Sequence, residues 1–187
     1  MKAIGFCTHS EGFFSWVTAR VTRRDDRPLV SVATHVGIAF ILDAPIPVLD
    51  GGTASEVYCD GIRGGGVMGW KSIGKLNIWN SKHGARRVWM YDLYRTEDQA
   101  VAMFQFCRES FGRYKYSERQ LAQIYLMHRL GRPVKMDANE IVCSDFAAMA
   151  CAAGGLDVRA ECGLPSTDAV SPADCQCVFE AAHYLPR

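Results

Sequence analysis

Apolar and polar residues along the chain fall into two regimes, and the change comes near residue 95. Before it, apolar positions run in short stretches rich in aromatic and β-branched residues. Residues 2–7 read as a strand on this pattern; residues 13–22 are also strand-like, with a helix left open. Residues 22–28 (TRRDDRP) form a charged loop. Residues 30–42 (VSVATHVGIAFIL) carry a strong strand signal with few polar interruptions. The two prolines of residues 43–47 (DAPIP) forbid continued pairing and predict a turn. Residues 53–59 follow as a second strand. Residues 61–69 (GIRGGGVMG) read as a mobile loop, 71–79 as extended chain and 87–94 as a further strand.

After residue 95 the period becomes helical. Thr96-Glu97-Asp98-Gln99 is a capping box with Thr96 as N-cap and Gln99 at N3. Its helix should run to about Ser110 and stop near Gly112. Ser117-Glu118-Arg119-Gln120 repeats the signature for a helix reaching about Leu130, with Gly131 and Pro133 beyond it. A third helix opens near Cys143 and ends at Gly154-Gly155. Residues 163–172 read as loop, and the last dozen residues as one short element. Strands first and helices later predict an α+β fold in a single domain spanning residues 1–187.

Composition narrows the function. The 187 residues are 49% hydrophobic and 22% charged, with 21 Lys and Arg against 20 Asp and Glu. That balance, +1 overall, lacks the basic excess of a nucleic-acid binder, so no nucleic-acid partner is expected. No apolar run approaches the ~20 residues of a membrane span. The first residues, MKAIGFCTHSEGFF, have no continuous apolar core, which predicts a cytoplasmic location. The eight cysteines sit largely in apolar stretches, where a free thiol behaves as a small hydrophobe.

One cysteine stands apart. Cys143 directly precedes the helix-forming run Ser144-Asp145-Phe146-Ala147-Ala148-Met149-Ala150. A helix N-terminus favours thiolate over thiol, and its free N–H groups can receive an oxyanion. A nucleophilic Cys needs a base, usually His. Of the five histidines, His35 heads the strand 35–42, whereas His128 ends a helix and His9, His83 and His183 fall in loop-like or terminal segments. A hairpin turn centred between residues 45 and 46 would set His35 opposite Glu56 on one sheet face, where the carboxylate would orient the ring.

Thr34-His35-Val36-Gly37-Ile38 followed late in the chain by Val142-Cys143-Ser144-Asp145-Phe146 resembles the circularly permuted NlpC-like papain-fold cysteine hydrolases of the YiiX/YaeF type. Trp16-Val17-Thr18, Ser55-Glu56-Val57, Gly112-Arg113-Tyr114-Lys115-Tyr116 and Val170-Ser171-Pro172-Ala173-Asp174 extend the likeness in the right order over most of the chain. The resemblance implies a papain-like antiparallel sheet with helices packed on it. It implies Cys143 as nucleophile, His35 as base and Glu56 as the residue that orients it. Tyr114 and Ser144 would lie on the substrate side, and no cofactor is called for. Peptide amides of cell-wall type, or acyl esters, are the implied substrates. Asp145 stands where the family commonly has Glu, and Arg113-Tyr114-Lys115 replaces Pro-Tyr-Asp. Two other readings compete: a non-catalytic ligand-binding module on the same fold, and a zinc-stabilised domain using Cys162, Cys175, Cys177 and His183.

Overall fold

Alternation along β2 (His35–Pro47) organises the molecule. Val36, Ile38, Phe40 and Leu42 point to one side and enter the main core; Ala39 points to the other, where it meets Phe6 and Tyr58. A strand covered on both faces belongs in the middle of a sheet. The computed structural model, which describes residues 1–10, 13–24, 26–59, 69–75, 86–93, 95–117, 119, 122–126, 139–165 and 169–184, puts it there. With β1 (Lys2–Ser10), β3 (Thr53–Cys59), β4 (Lys71–Ser72) and β5 (Arg86–Asp92) it makes an antiparallel five-stranded sheet in the order β4-β3-β2-β1-β5.

The hairpin that joins β2 to β3 departs from the expected one. Residues 43–47 are strand rather than turn, and the chain reverses at residues 48–52, where Gly51 and Gly52 take φ of 93° and 77°. Pairing between the two strands lapses between Ile41 and Ile46. Pro45 lies in that gap, where no ladder bond asks for its missing N–H. Residues 13–22 resolve as helix, α1 (Phe13–Thr22). Of the extended chain expected over 71–79, Lys71–Ser72 pairs, residues 73–75 turn helical and the rest lies outside the described residues. The glycine-rich stretch is likewise outside them from residue 61 to 68.

The helices of residues 97–109, 143–153 and 172–184 lie on the main-core face. In α2 (Glu97–Glu109) the predicted capping box forms: Gln99 N donates to Thr96 Oγ1 at 3.3 Å, and Thr96 N donates to Gln99 Oε1 at 3.0 Å. Phe104 of this helix stacks on Trp70 at 4.4 Å and meets Phe40 edge-on. Of the helix expected after Ser117, residues 119 and 122–126 are described and helical. A two-residue parallel pair, β6 (Lys115–Tyr116) with β7 (Glu140–Ile141), leads into α3 (Cys143–Ala153). Ala147 and Ala150 are small enough to let α3 lie close along β2. A short α4 (Val158–Glu161) leads to α5 (Pro172–Tyr184), longer than the final element expected. This last helix presses on β1: a Cβ on Gly5 would come within 2.5 Å of the Phe179 ring. At its start Asp174 accepts from Ser171 N and Oγ, both at 2.7 Å, and Arg24 closes on the buried carboxylate.

Burial makes the core thiols poor acids. Loss of solvent pushes Cys7, Cys107 and Cys175 well above their ordinary value and Cys151 up to about 12. A raised folded value means the stability is intact below the unfolded value near 8.5 and is lost as pH climbs toward the folded one. Urea melts should therefore hold steady up to about pH 8 and weaken by about 1.4 kcal/mol per pH unit per thiol above it. Cys151→Ala should make that alkaline slope shallower by one thiol; an unchanged slope would mean Cys151 ionises freely in the fold.

Candidate functional site

The chain reaches Cys143 as a strand and leaves it as a helix. Ser117 N donates to Ile141 O at 3.1 Å, closing the β6–β7 pair, and Val142 is still extended at φ −112° and ψ 169°. Phe146 N then donates to Val142 O at 3.1 Å, the first turn of α3. Cys143 is thus the first helical residue, as the sequence predicts. Val142 has no side-chain acceptor, so its side chain caps none of the N–H groups of this turn. Asp145, at N3, reaches back to Val142 N at 3.4 Å. Cys143 itself is 2% exposed, with Cys7 of β1 and Cys175 of α5 in electrostatic reach.

Ser144 is turned inward. Fully buried, it donates from Oγ to Val170 O at 2.7 Å, while its carbonyl faces Cys175 Sγ at 3.7 Å. The expected substrate-side role is corrected to a structural one: the hydroxyl ties the start of α3 to the start of α5. Tyr114 is half-buried against the main core, with the Arg113 guanidinium 5.9 Å from its ring centroid. Lys115 N, next in sequence, donates to Asn139 O at 2.9 Å, so Tyr114 adjoins the segment that feeds Cys143.

His35 is the first residue of β2 and pairs with Thr8. Its ring lies 6.4 Å from that of Phe6, a ring that passes directly over Gly37. Alternation therefore gives His35 to the Phe6 side and Val36 to the side covered by α3. Cys143 and His35 come to the same end of β2, from its two faces. Glu56 does not join them. It is exposed and sits opposite Ile41, six residues up the strand from His35 and about 20 Å away at the usual ~3.3 Å per residue. The reason is the turn: moving the reversal from residues 45–46 to 48–52 slides β3 by nine positions against β2 beside the turn, and the register shift between Ile41 and Ile46 takes back three, leaving six at Glu56.

A second imidazole occupies this end of the sheet, one the sequence reading assigned to a loop. β1 runs on to Ser10, so His9 is a strand residue on the face of Cys7 and the helices. It is 8% exposed, and its Nδ1 lies 2.8 Å from Val32 O. A carbonyl can only accept, so Nδ1 carries the proton and the neutral ring keeps its lone pair on Nε2. The signal was present in the continuous apolar run of residues 3–7, extended by two. The cysteines and histidine of the zinc reading are divided: Cys175 opens α5 against Ser144, whereas His183 accepts from Asp92 N at 3.2 Å in its last turn. His83 and His128 lie outside the described residues.

Neither a protein-family model nor any curated protein matches the sequence.

The two reassigned residues should behave oppositely. Glu56→Gln should leave stability within about 0.5 kcal/mol of the parent and leave Cys143 reactivity unchanged, as for an exposed residue without buried partners. Ser144→Ala, which strands the Val170 carbonyl, should cost about 1–3 kcal/mol in urea unfolding. A loss of Cys143 reactivity in Glu56→Gln would return Glu56 to the site.

Proposed function

We propose that the protein is a cysteine hydrolase of papain-like, permuted NlpC-like type, acting on amide or ester carbonyls through Cys143. The observation that carries this reading is the position of Cys143 as the first residue of a helix laid along a central strand, with two histidines at the same end of the sheet. A thiol there has the helix's free N–H groups for the oxyanion and, in His9, an imidazole on its own face of the sheet for the proton, the division of labour that acyl transfer needs.

In the proposed reaction the Cys143 thiolate attacks the carbonyl carbon, and the oxygen takes the negative charge beside the N–H groups of the first turn. The imidazolium gives its proton to the leaving amine or alcohol as the bond to it breaks, leaving an acyl thioester on Cys143. The neutral imidazole then takes a proton from water, whose oxygen attacks the thioester. The carboxylic acid departs, and the proton returns to the thiol pair. His35 is the base by sequence resemblance. A second reading assigns the base to His9, favoured by its place on the helix side of the sheet and by the Val32 carbonyl that fixes its tautomer. In that reading a main-chain carbonyl does the orienting that Glu56 was expected to do. Peptide amides and acyl esters both remain in the substrate class.

Incubation with p-nitrophenyl acetate, followed by peptide mapping, tests this. Cys143 should carry a hydroxylamine-labile acetyl group that the Cys143→Ala variant lacks. Cys7, Cys107, Cys151 and Cys175, held as buried thiols, should stay unmodified. The histidine whose change to Ala slows turnover of the thioester by about 10²–10⁴ is the base. Absence of acetyl on Cys143 would favour the ligand-binding module.

A further inference from the structure

The segment that carries both imidazole contacts is held from outside the sheet by one amide. Gln176, in the second turn of α5, is 2% exposed. Its Oε1 accepts from Ala33 N at 2.7 Å, and its Nε2 donates to Ser31 O at 3.1 Å. Val32 lies between those two residues, and its carbonyl receives the His9 ring at 2.8 Å. Two residues beyond Ala33 stands His35, reached through Thr34, whose N–H donates to Thr8 O at 2.9 Å. The other flank of the same helix turn touches the cysteine's helix: Cys175 Sγ faces Ser144 O at 3.7 Å, and Ser144 Oγ bonds Val170 just ahead of α5. The start of α5 is a bracket with Cys143's helix on one side and the histidine segment on the other.

We propose that Gln176 is a positioning residue for the Cys143 chemistry, setting the backbone of residues 31–35, which holds the His9 ring through Val32 O on the face of the Cys143 helix and leads into His35 on the other face. The proposal rests on the cysteine-hydrolase reading. A primary amide suits the task because it offers one donor and one acceptor side by side in a plane, matched to a carbonyl and an N–H two residues apart. Both are side-chain contacts to main chain spanning over 140 residues of sequence, the one to Ala33 buried and the one to Ser31 part-buried.

The amide's chemistry also supplies a test that mere packing would not pass. A protonated carboxyl presents the same donor and acceptor; an ionised one can still accept from Ala33 N but repels Ser31 O. The groups around position 176 are the Tyr91 phenol and the Glu180 carboxylate it donates to, which Arg27 also holds, together with Asp174 paired to Arg24, the Cys7 and Cys175 thiols and His9.

The rate of Cys143 acetylation by p-nitrophenyl acetate should be measured from pH 5 to 8 in wild type, Q176E and Q176M, each expressed per folded molecule. Q176M should be at least tenfold slow at every pH. Q176E should match that loss at pH 8 and recover toward the wild-type rate as pH falls and its carboxyl protonates. Amide exchange at Ala33 and the imidazole resonances of His9 and His35 should move in Q176M. A flat ratio of Q176E to wild type, wild-type rates in Q176M, or unmoved Ala33 exchange and imidazole resonances would each overturn the positioning role. If wild type itself is not acetylated at Cys143, the hydrolase reading fails before any variant is compared, and the positioning role falls with it.

Discussion

The close approach of an alanine-rich helix to one central strand fixes the geometry of everything else. α3 packs against β2, with Phe146, Ala147 and Ala150 sharing one buried core with Val36, Ile38 and Phe40, and the dispersion gained there depends on the helix lying nearly flush with the sheet. Larger side chains at the alanine positions would lift α3 away and carry Cys143 with it. Because the helix begins at the end of the sheet where β2 begins, its first turn, the end of β1 and the segment before β2 are brought together. A helix set differently along the strand would have left Cys143 over apolar sheet with no imidazole near.

What holds this corner is largely side chain to main chain. Ser144 to Val170, His9 to Val32 and Gln176 to Ser31 and Ala33 each satisfy backbone groups outside the α-helices and the sheet ladder. Leaving such groups buried and unpaired would cost about 1–3 kcal/mol apiece, so these bonds specify one arrangement more than they add net stability. The apolar core supplies the bulk of the folding free energy, with the buried thiols of Cys7, Cys107, Cys151 and Cys175 serving in it as small hydrophobes.

Local chemistry was legible in the sequence and long-range register was not. The Thr96–Gln99 box, the start of α3 at Cys143 and its end at Gly154 follow from residues within a few positions of each other. The strand character of residues 53–59 and of 35–42 follows from composition, although the pattern predicts a strand from residue 30 and residues 29–31 are a 3-10 turn instead. The pairing of those strands does not, because a proline pair reads as a turn unless the ladder already has a gap to receive it. That single misplacement is what joined Glu56 to His35 on paper and parts them in the fold. His9 was missed because two polar residues at a strand's end look like loop, and Gln176 because its partners lie over 140 residues away.

The gap in the β2–β3 ladder has a practical side. Between Ile41 and Ile46 the hairpin is not stitched together, so its outer arm, through the glycines at 51 and 52, is joined to the sheet by only a few bonds. Among the described residues, nothing lies within 4 Å of where a side chain at either glycine would begin. Lengthening such a loop is inexpensive, since each doubling adds only about 0.6 kcal/mol of closure entropy. The arm points away from the end of the sheet that holds Cys143. It is therefore the natural place to graft an epitope, a fluorophore-bearing peptide or a surface tether onto this fold while leaving the cysteine and its neighbours as they are.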